Sequence, residues 1–331
     1  MASITGAPIS RRTMIETGLL AGAGAAVAPW AAAADQSSLP VIMKKIPSTG
    51  EQIPVMGVGT NVFRDANYPQ LRDILKRMHE LKGSVIDTAA LYGDSEVVIG
   101  KALTELGIRK QMFIATKFSA AGVKLPEPPP GSVPPGAPPM EFLFGEESFE
   151  HSLKALQTDR IDLMQAHFLA SVEPLMPLLQ KLKKSGKVRY IGITTIWVEQ
   201  HAQLIDYMRR YPIDFVQVDY SLGNREAAET VFPVARERKI AVMVAVPLGG
   251  RSSSLMPQTA GRQLPSWAAD IDVTSWSQFL LKYVISHPAV TCAIPGSSQL
   301  EHLDDNQMAG RGRIPDAAMR KRMEAFWDNG A

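Results

Sequence analysis

The chain has 331 residues, 45% of them hydrophobic and 21% charged, with a formal net charge of +2 and a single cysteine, Cys292. This balance excludes a disordered polyelectrolyte and gives no electrostatic case for a nucleic-acid partner, which needs basic runs or stripes. One cysteine forbids an internal disulfide framework and a cysteine-based zinc site, whereas the length admits either two ordinary domains or one large barrel.

Residues 1–34 have a short polar start, then Arg11-Arg12, continue through the Gly/Ala-rich run Gly18–Ala28 and end near Ala32-Ala33-Ala34. That order is expected of an export signal, and the run is too weakly apolar for a stable membrane anchor. Ser10-Arg11-Arg12-Thr13-Met14-Ile15 resembles the twin-arginine consensus. The expected partner is then the twin-arginine export machinery, and the expected location is the periplasm after folding in the cytoplasm. If the signal is unused, the protein stays in the cytoplasm. Residues 35–331 are expected to form the folded domain.

Val41–Ile46 and Gln52–Pro54 flank the turn-rich Ser48-Thr49-Gly50-Glu51, which predicts a hairpin. Eight short apolar runs follow, at 55–60, 84–88, 112–117, 161–167, 188–194, 214–219, 240–246 and 289–294. Between them lie helical patterns such as Leu71–Met78, with apolar residues three and four apart. Near-continuous apolar strands alternating with amphipathic helices predict a parallel sheet covered by helices, and eight such units favour a single-domain (β/α)₈ TIM barrel. The alternative is a doubly wound open sheet. It is weaker because Gly57-Val58-Gly59 lacks the third glycine of a dinucleotide-binding turn and does not open a helix.

After the third run, residues 126–139 contain eight prolines. No helix or central strand can form there, so an extended, stiff loop is expected, either a wall of the mouth or a solvated insertion.

In a barrel, polar residues at the C-terminal ends of strands converge on one mouth. Asp87 closes the second run, Tyr92 lies five residues on, Lys117 closes the third and His167 the fourth. Taken singly, Lys117 reads as a surface lysine, His167 as a core histidine and Asp87 as a helix cap. Together they suit carbonyl reduction. The carbonyl oxygen needs a proton, a phenol beside an ammonium can become a stronger acid, and an imidazole can orient the carbonyl. No side chain supplies hydride, so a nicotinamide cofactor is implied.

Asp87-Thr88-Ala89-x-x-Tyr92-Gly93-x-Ser95-Glu96, Ala115-Thr116-Lys117, Gln165-Ala166-His167 and Ile294-Pro295-Gly296-Ser297-Ser298 together resemble the aldo-keto reductase family over roughly residues 41–310. The resemblance implies a barrel enzyme that reduces a small-molecule aldehyde or ketone with NADPH, NADH remaining open. It carries over a tetrad of Asp87, Tyr92, Lys117 and His167, with Tyr92 as general acid. It also implies a cofactor site of Gly59, Thr60, Thr194, Thr195, Gln217, Leu248, Gly249, Gly296, Ser297, Ser298, His302, Asp305 and Asn306. Two departures stand out: Thr194-Thr195 replaces a usual Ser-Asn, and Ala245 stands where an aromatic usually stacks on the nicotinamide. Gly296 and His302 likewise stand where Lys and Arg often grip a 2′-phosphate. The short stretch after Asn306 implies an open pocket. The competing expectation is an exported nucleotide-binding or sensing protein of the same fold with little turnover.

Overall fold

The computed structural model describes residues 36–123, 143–250 and 253–330. The proline-rich stretch 126–139 and the signal-like residues 1–34 lie outside them.

All eight expected strands form. They are β3 (Val58–Gly59), β4 (Val85–Asp87), β5 (Phe113–Phe118), β6 (Ile161–Ala166), β7 (Val188–Thr194), β8 (Phe215–Asp219), β9 (Ala241–Ala245) and β10 (Val290–Ala293). They pair in parallel in strict sequence order. Parallel bridges Met56 to Ala293 and Gly59 to Gly296 close β10 onto β3, so the sheet is a barrel rather than an open doubly wound sheet. At that seam a Cβ on Gly59 would sit 3.0 Å from the Ile294 carbonyl oxygen, so a side chain there would push the closing strands apart.

Helices cover the outside, and α1 (Tyr68–Glu80) shows how one apolar stripe seats a helix on the strands. In α1, Pro69 fits the first turn, where no backbone donor is needed, and Leu71, Ile74, Leu75 and Met78 are buried at spacings of three and four. The expected hairpin is β1 (Met43–Lys45) with β2 (Gln52–Pro54), antiparallel, turning through Gly50 at φ 79°. It caps the N-terminal end of the barrel. Ile46 and Ile53 join Phe113, Tyr190, Phe215, Met243 and Cys292 in one buried cluster inside the strands. Cys292 is fully buried in β10, and burial raises its thiol pKa, as expected for a packed apolar residue rather than a reactive one.

α7 (Trp276–Ser286) ends at His287, which packs against Phe232 and Tyr220 at 4.7 and 5.8 Å. Its Nδ1 accepts from the Ala289 N–H, which requires the neutral ring. Burial first, then the charges of Arg320, Lys44 and Arg236, push its pKa down to about 4. The folded value is below the unfolded one, so this stability is present above about pH 6.5 and is lost as pH falls toward 4. His287→Asn keeps an acceptor and removes the titration. It is expected to flatten the fall of Tm between pH 6.5 and 4 by the equivalent of roughly 1 kcal/mol, discounted for the ring's partial exposure. An unchanged pH profile of Tm would contradict this.

Candidate active site

The strand ends are in register around the mouth. Asp87 lies opposite Gly59 and Ala115, Lys117 opposite Gln165, and Thr194 opposite Gln217. Each following loop continues the ladder by one bond: Thr88 N–H to Ala115 O at 2.8 Å, His167 N–H to Phe118 O at 2.9 Å and Thr195 N–H to Gln217 O at 3.1 Å. Side chains at these points are therefore held by sheet backbone.

Asp87, Tyr92, Lys117 and His167 line one cavity of about 340 Å³. Lys117 is 1% exposed, which excludes the surface-lysine reading. Its Nζ donates to both Asp87 carboxylate oxygens at 2.8 and 2.7 Å and to the Thr88 carbonyl at 2.8 Å, using all three ammonium protons. Burial disfavours this cation, but the Asp87 carboxylate and Tyr92 outweigh burial and hold its pKa above the ordinary lysine value. The ammonium lies 5.3 Å from the Tyr92 ring centre, and the Tyr92 ring meets the His167 ring edge-on at 5.6 Å.

Two protonation states differ from sequence expectation or sharpen it. Burial raises the Tyr92 phenol above its ordinary value, and this outweighs the lowering by Lys117. The phenol is therefore not a stronger acid in the resting protein, as the ammonium alone would make it, because desolvation penalises the phenolate more. Burial and then Lys117 push His167 well below the ordinary histidine value, so its ring is neutral. Its Nδ1 is buried with no partner among the described residues.

The nicotinamide-side residues of the sequence reading also reach this cavity: Gly59, Thr60, Thr194, Thr195, Gln217, Leu248, Gly249 and Gly296 line it, and Ala245 does as well. Gln217 Oε1 accepts from Gln165 Nε2 at 2.8 Å. The Thr195 hydroxyl donates to Gln200 at 2.6 Å and accepts from Trp197 N–H, so it is committed within its own turn. The remaining residues do not line the cavity. Asn306 is buried and tied between Ser277 and Ser297 at 2.6 and 2.9 Å. Asp305 accepts from Ser275 and Gln278. His302 is exposed, and the Ser298 carbonyl accepts from Gln70.

Sequence reading did not single out the aromatic wall. Phe168 stacks on His167 at 4.4 Å and 5°, and Trp197 stacks beyond it at 6.4 Å. The available signal was position, because Phe168 directly follows His167 and Trp197 lies three residues past the end of β7 at Thr194. Val246, with φ 44°, turns the chain over the cavity in a left-handed conformation that β-branched residues seldom adopt.

A closed (β/α)₈ barrel carries a buried ammonium–carboxylate pair, a phenol and a neutral imidazole at one mouth. The chain belongs to the Aldo/keto reductase family, which residues 55–326 match. It is 34% identical over 174 residues to the Aldo-keto reductase YhdN of Bacillus subtilis, covering 49% of this chain and 46% of that one. The chain thus spans less than half the length of that relative. Against the Aldo-keto reductase str7 of Strobilurus tenacellus it is 27% identical over 292 residues, covering 76% of this chain and 80% of that one. The holo form of aldo-keto reductase AKR11C1 from Bacillus halodurans superposes with a TM-score of 0.67 at 22% identity, over 86% of this chain and 96% of that one. A Klebsiella pneumoniae aldo-keto reductase in complex with NADPH gives 0.64 at 23%, over 87% and 96%. These two structural likenesses speak for the fold.

Proposed function

We propose that the protein is an NAD(P)H-dependent oxidoreductase that reduces an aldehyde or ketone to an alcohol, with Tyr92 as proton donor. The observation that carries this reading is the phenol held beside the buried Lys117–Asp87 pair, with a neutral imidazole facing the same cavity. The cavity suits an amide-bearing ring. Among the described residues no group bonds the Thr194 hydroxyl, and Gln217 lines the cavity beside it. The first turn of α8 (Leu300–Ala309) has no side-chain cap, which leaves N–H groups for a phosphate. The Klebsiella pneumoniae relative in complex with NADPH supports that cofactor.

A bound nicotinamide dinucleotide would supply a hydride, the component no side chain provides. Tyr92 Oη donates its proton to the carbonyl oxygen. Lys117 stabilises the phenolate left behind, and Asp87 keeps Lys117 charged and fixed. His167 holds the carbonyl oxygen within reach of Tyr92.

The test is thermal shift of the purified protein with NADPH and with NADH, followed by cofactor oxidation against a panel of aldehydes and ketones. Stabilisation and turnover support the proposal; stabilisation with no oxidation by any carbonyl defeats it. Ala245 in place of a stacking aromatic favours the second reading, a nucleotide-binding or sensing protein, and that second outcome is its signature. We also propose that residues 1–34 direct export through the twin-arginine route. An intact Met1 start on protein from fractionated cells would refute it.

A further inference from the structure

We infer that the buried hydroxyls of Thr88 and Ser95 position the Tyr92 phenol by closing the base of the loop that carries it. This rests on the reading of Tyr92 as proton donor. Thr88 directly follows β4, and Ser95 opens α2 (Ser95–Glu105), so the Tyr92 loop runs from one to the other. Their hydroxyls meet at 2.9 Å. Ser95 Oγ also donates to Thr60 O at 3.0 Å and touches the Thr60 hydroxyl at 2.8 Å, and that hydroxyl donates to the Asp87 carbonyl at 2.9 Å. All three residues are fully buried.

The proton directions follow from these partners. With Thr60 giving its proton to Asp87 O and Ser95 giving its own to the Thr60 carbonyl, Thr88 donates the bond to Ser95, and the contact between the Thr60 and Ser95 hydroxyls carries no proton of its own. The path from Thr88 through Ser95 to the Thr60 carbonyl, and from the Thr60 hydroxyl to Asp87 O, uses each hydroxyl proton once and ties the ends of β3 and β4 to the start of α2. It starts and ends on the dipeptide that grips Lys117, since Asp87 supplies the carboxylate and Thr88 the carbonyl for that ammonium. The next residue repeats the device on the other flank. Glu96 accepts from Thr116, Lys117's neighbour in β5, at 2.6 Å, and from Ser152 at 3.0 Å. Within the loop, Tyr92 N–H donates to Ala89 O at 2.9 Å, and Arg64 reaches the Tyr92 carbonyl at 3.1 Å. The distance from phenol to ammonium is therefore set by a loop closed at its base by the Thr88–Ser95 bond.

The experiment compares Thr88→Val, which keeps the shape and removes the hydroxyl, with Thr88→Ser, which keeps the hydroxyl. Thr88→Val is expected to lower kcat on the order of 10- to 100-fold, the scale of an ångström misplacement, with carbonyl KM and cofactor Kd nearly unchanged. Thr88→Ser is expected to stay close to wild type. Independently of turnover, the Tyr92 resonance in protein labelled at tyrosine ¹³Cζ, assigned with Tyr92→Phe, is followed through an alkaline titration. In Thr88→Val it should broaden and its midpoint should fall toward the ordinary phenol value near 10, because water reaches a loosened ring. In Thr88→Ser it should not move. If wild type reduces no carbonyl, the reading of Tyr92 as donor fails, yet the titration still decides positioning. A wild-type kcat and titration in Thr88→Val would overturn the inference, as would equal losses in both variants. Should Thr88→Val not fold, Ser95→Ala takes its place with the same expected and opposing outcomes.

Discussion

Tyr92→Phe is expected to lower kcat for carbonyl reduction by about 10²- to 10⁴-fold, with cofactor affinity unchanged. That range corresponds to roughly 2.7–5.5 kcal/mol of transition-state stabilisation. The substitution is narrow in its effect: the ring stays edge-on to His167 and beside Lys117, and only the acidic proton is removed. The pH profile provides an independent check. Burial holds the phenol above its ordinary value, so the proton-bearing form persists through neutrality, and reduction should fall only on the alkaline side, above about pH 10. His167 is pushed far below the ordinary histidine value, so no break is expected between pH 6 and 8 from that ring. A kcat that survives Tyr92→Phe within a few-fold, or one that collapses near pH 7, would remove Tyr92 from the role of acid.

The same side chains show how far sequence alone reaches. The eight strands were legible because a buried parallel strand is a short, mostly apolar run between turn residues, and Ala241–Ala245 is nothing else. Asp87, Lys117 and His167 were legible for the opposite reason, being ionisable groups that end such runs. Partnership was not legible. Asn306 turns to Ser277, 29 residues away, because hydrogen bonds among polar side chains depend on packing between elements distant in sequence, and even the local bond from Thr195 to Gln200 depends on how the turn between them folds. Tyr92 shows the same limit in electrostatics. The neighbouring ammonium is inferred from spacing, but the degree of burial that overrides it exists only in the folded barrel. In the sequence Thr88 and Ser95 are only letters of a motif, and the loop closure between them emerges from the distance between their oxygens.

Lys117→Met should abolish measurable reduction and also cost about 3–5 kcal/mol of stability, since it leaves the Asp87 carboxylate buried without its cation. Asp87 is 3% exposed, and burial is the largest influence on its carboxyl, raising its pKa, with Lys117 the main opposing one. Removing Lys117 therefore strands a charge that is almost wholly shielded from water. The companion variant separates stability from chemistry. Asp87→Leu combined with Lys117→Met replaces the pair by apolar groups, and such replacements range from neutral to about 1–4 kcal/mol stabilising. The double variant is expected to recover the unfolding midpoint in urea while reduction remains absent, because the phenolate left on Tyr92 still lacks its ammonium. The non-additivity in stability would measure the coupling within the pair, and the persistent loss of turnover would show that the pair is kept for proton transfer rather than for holding the barrel together. A single Lys117→Met variant as stable as wild type would mean that Asp87 and Lys117 are not both ionised in the resting protein. Recovered turnover in the double variant would mean that the cation is not needed beside Tyr92.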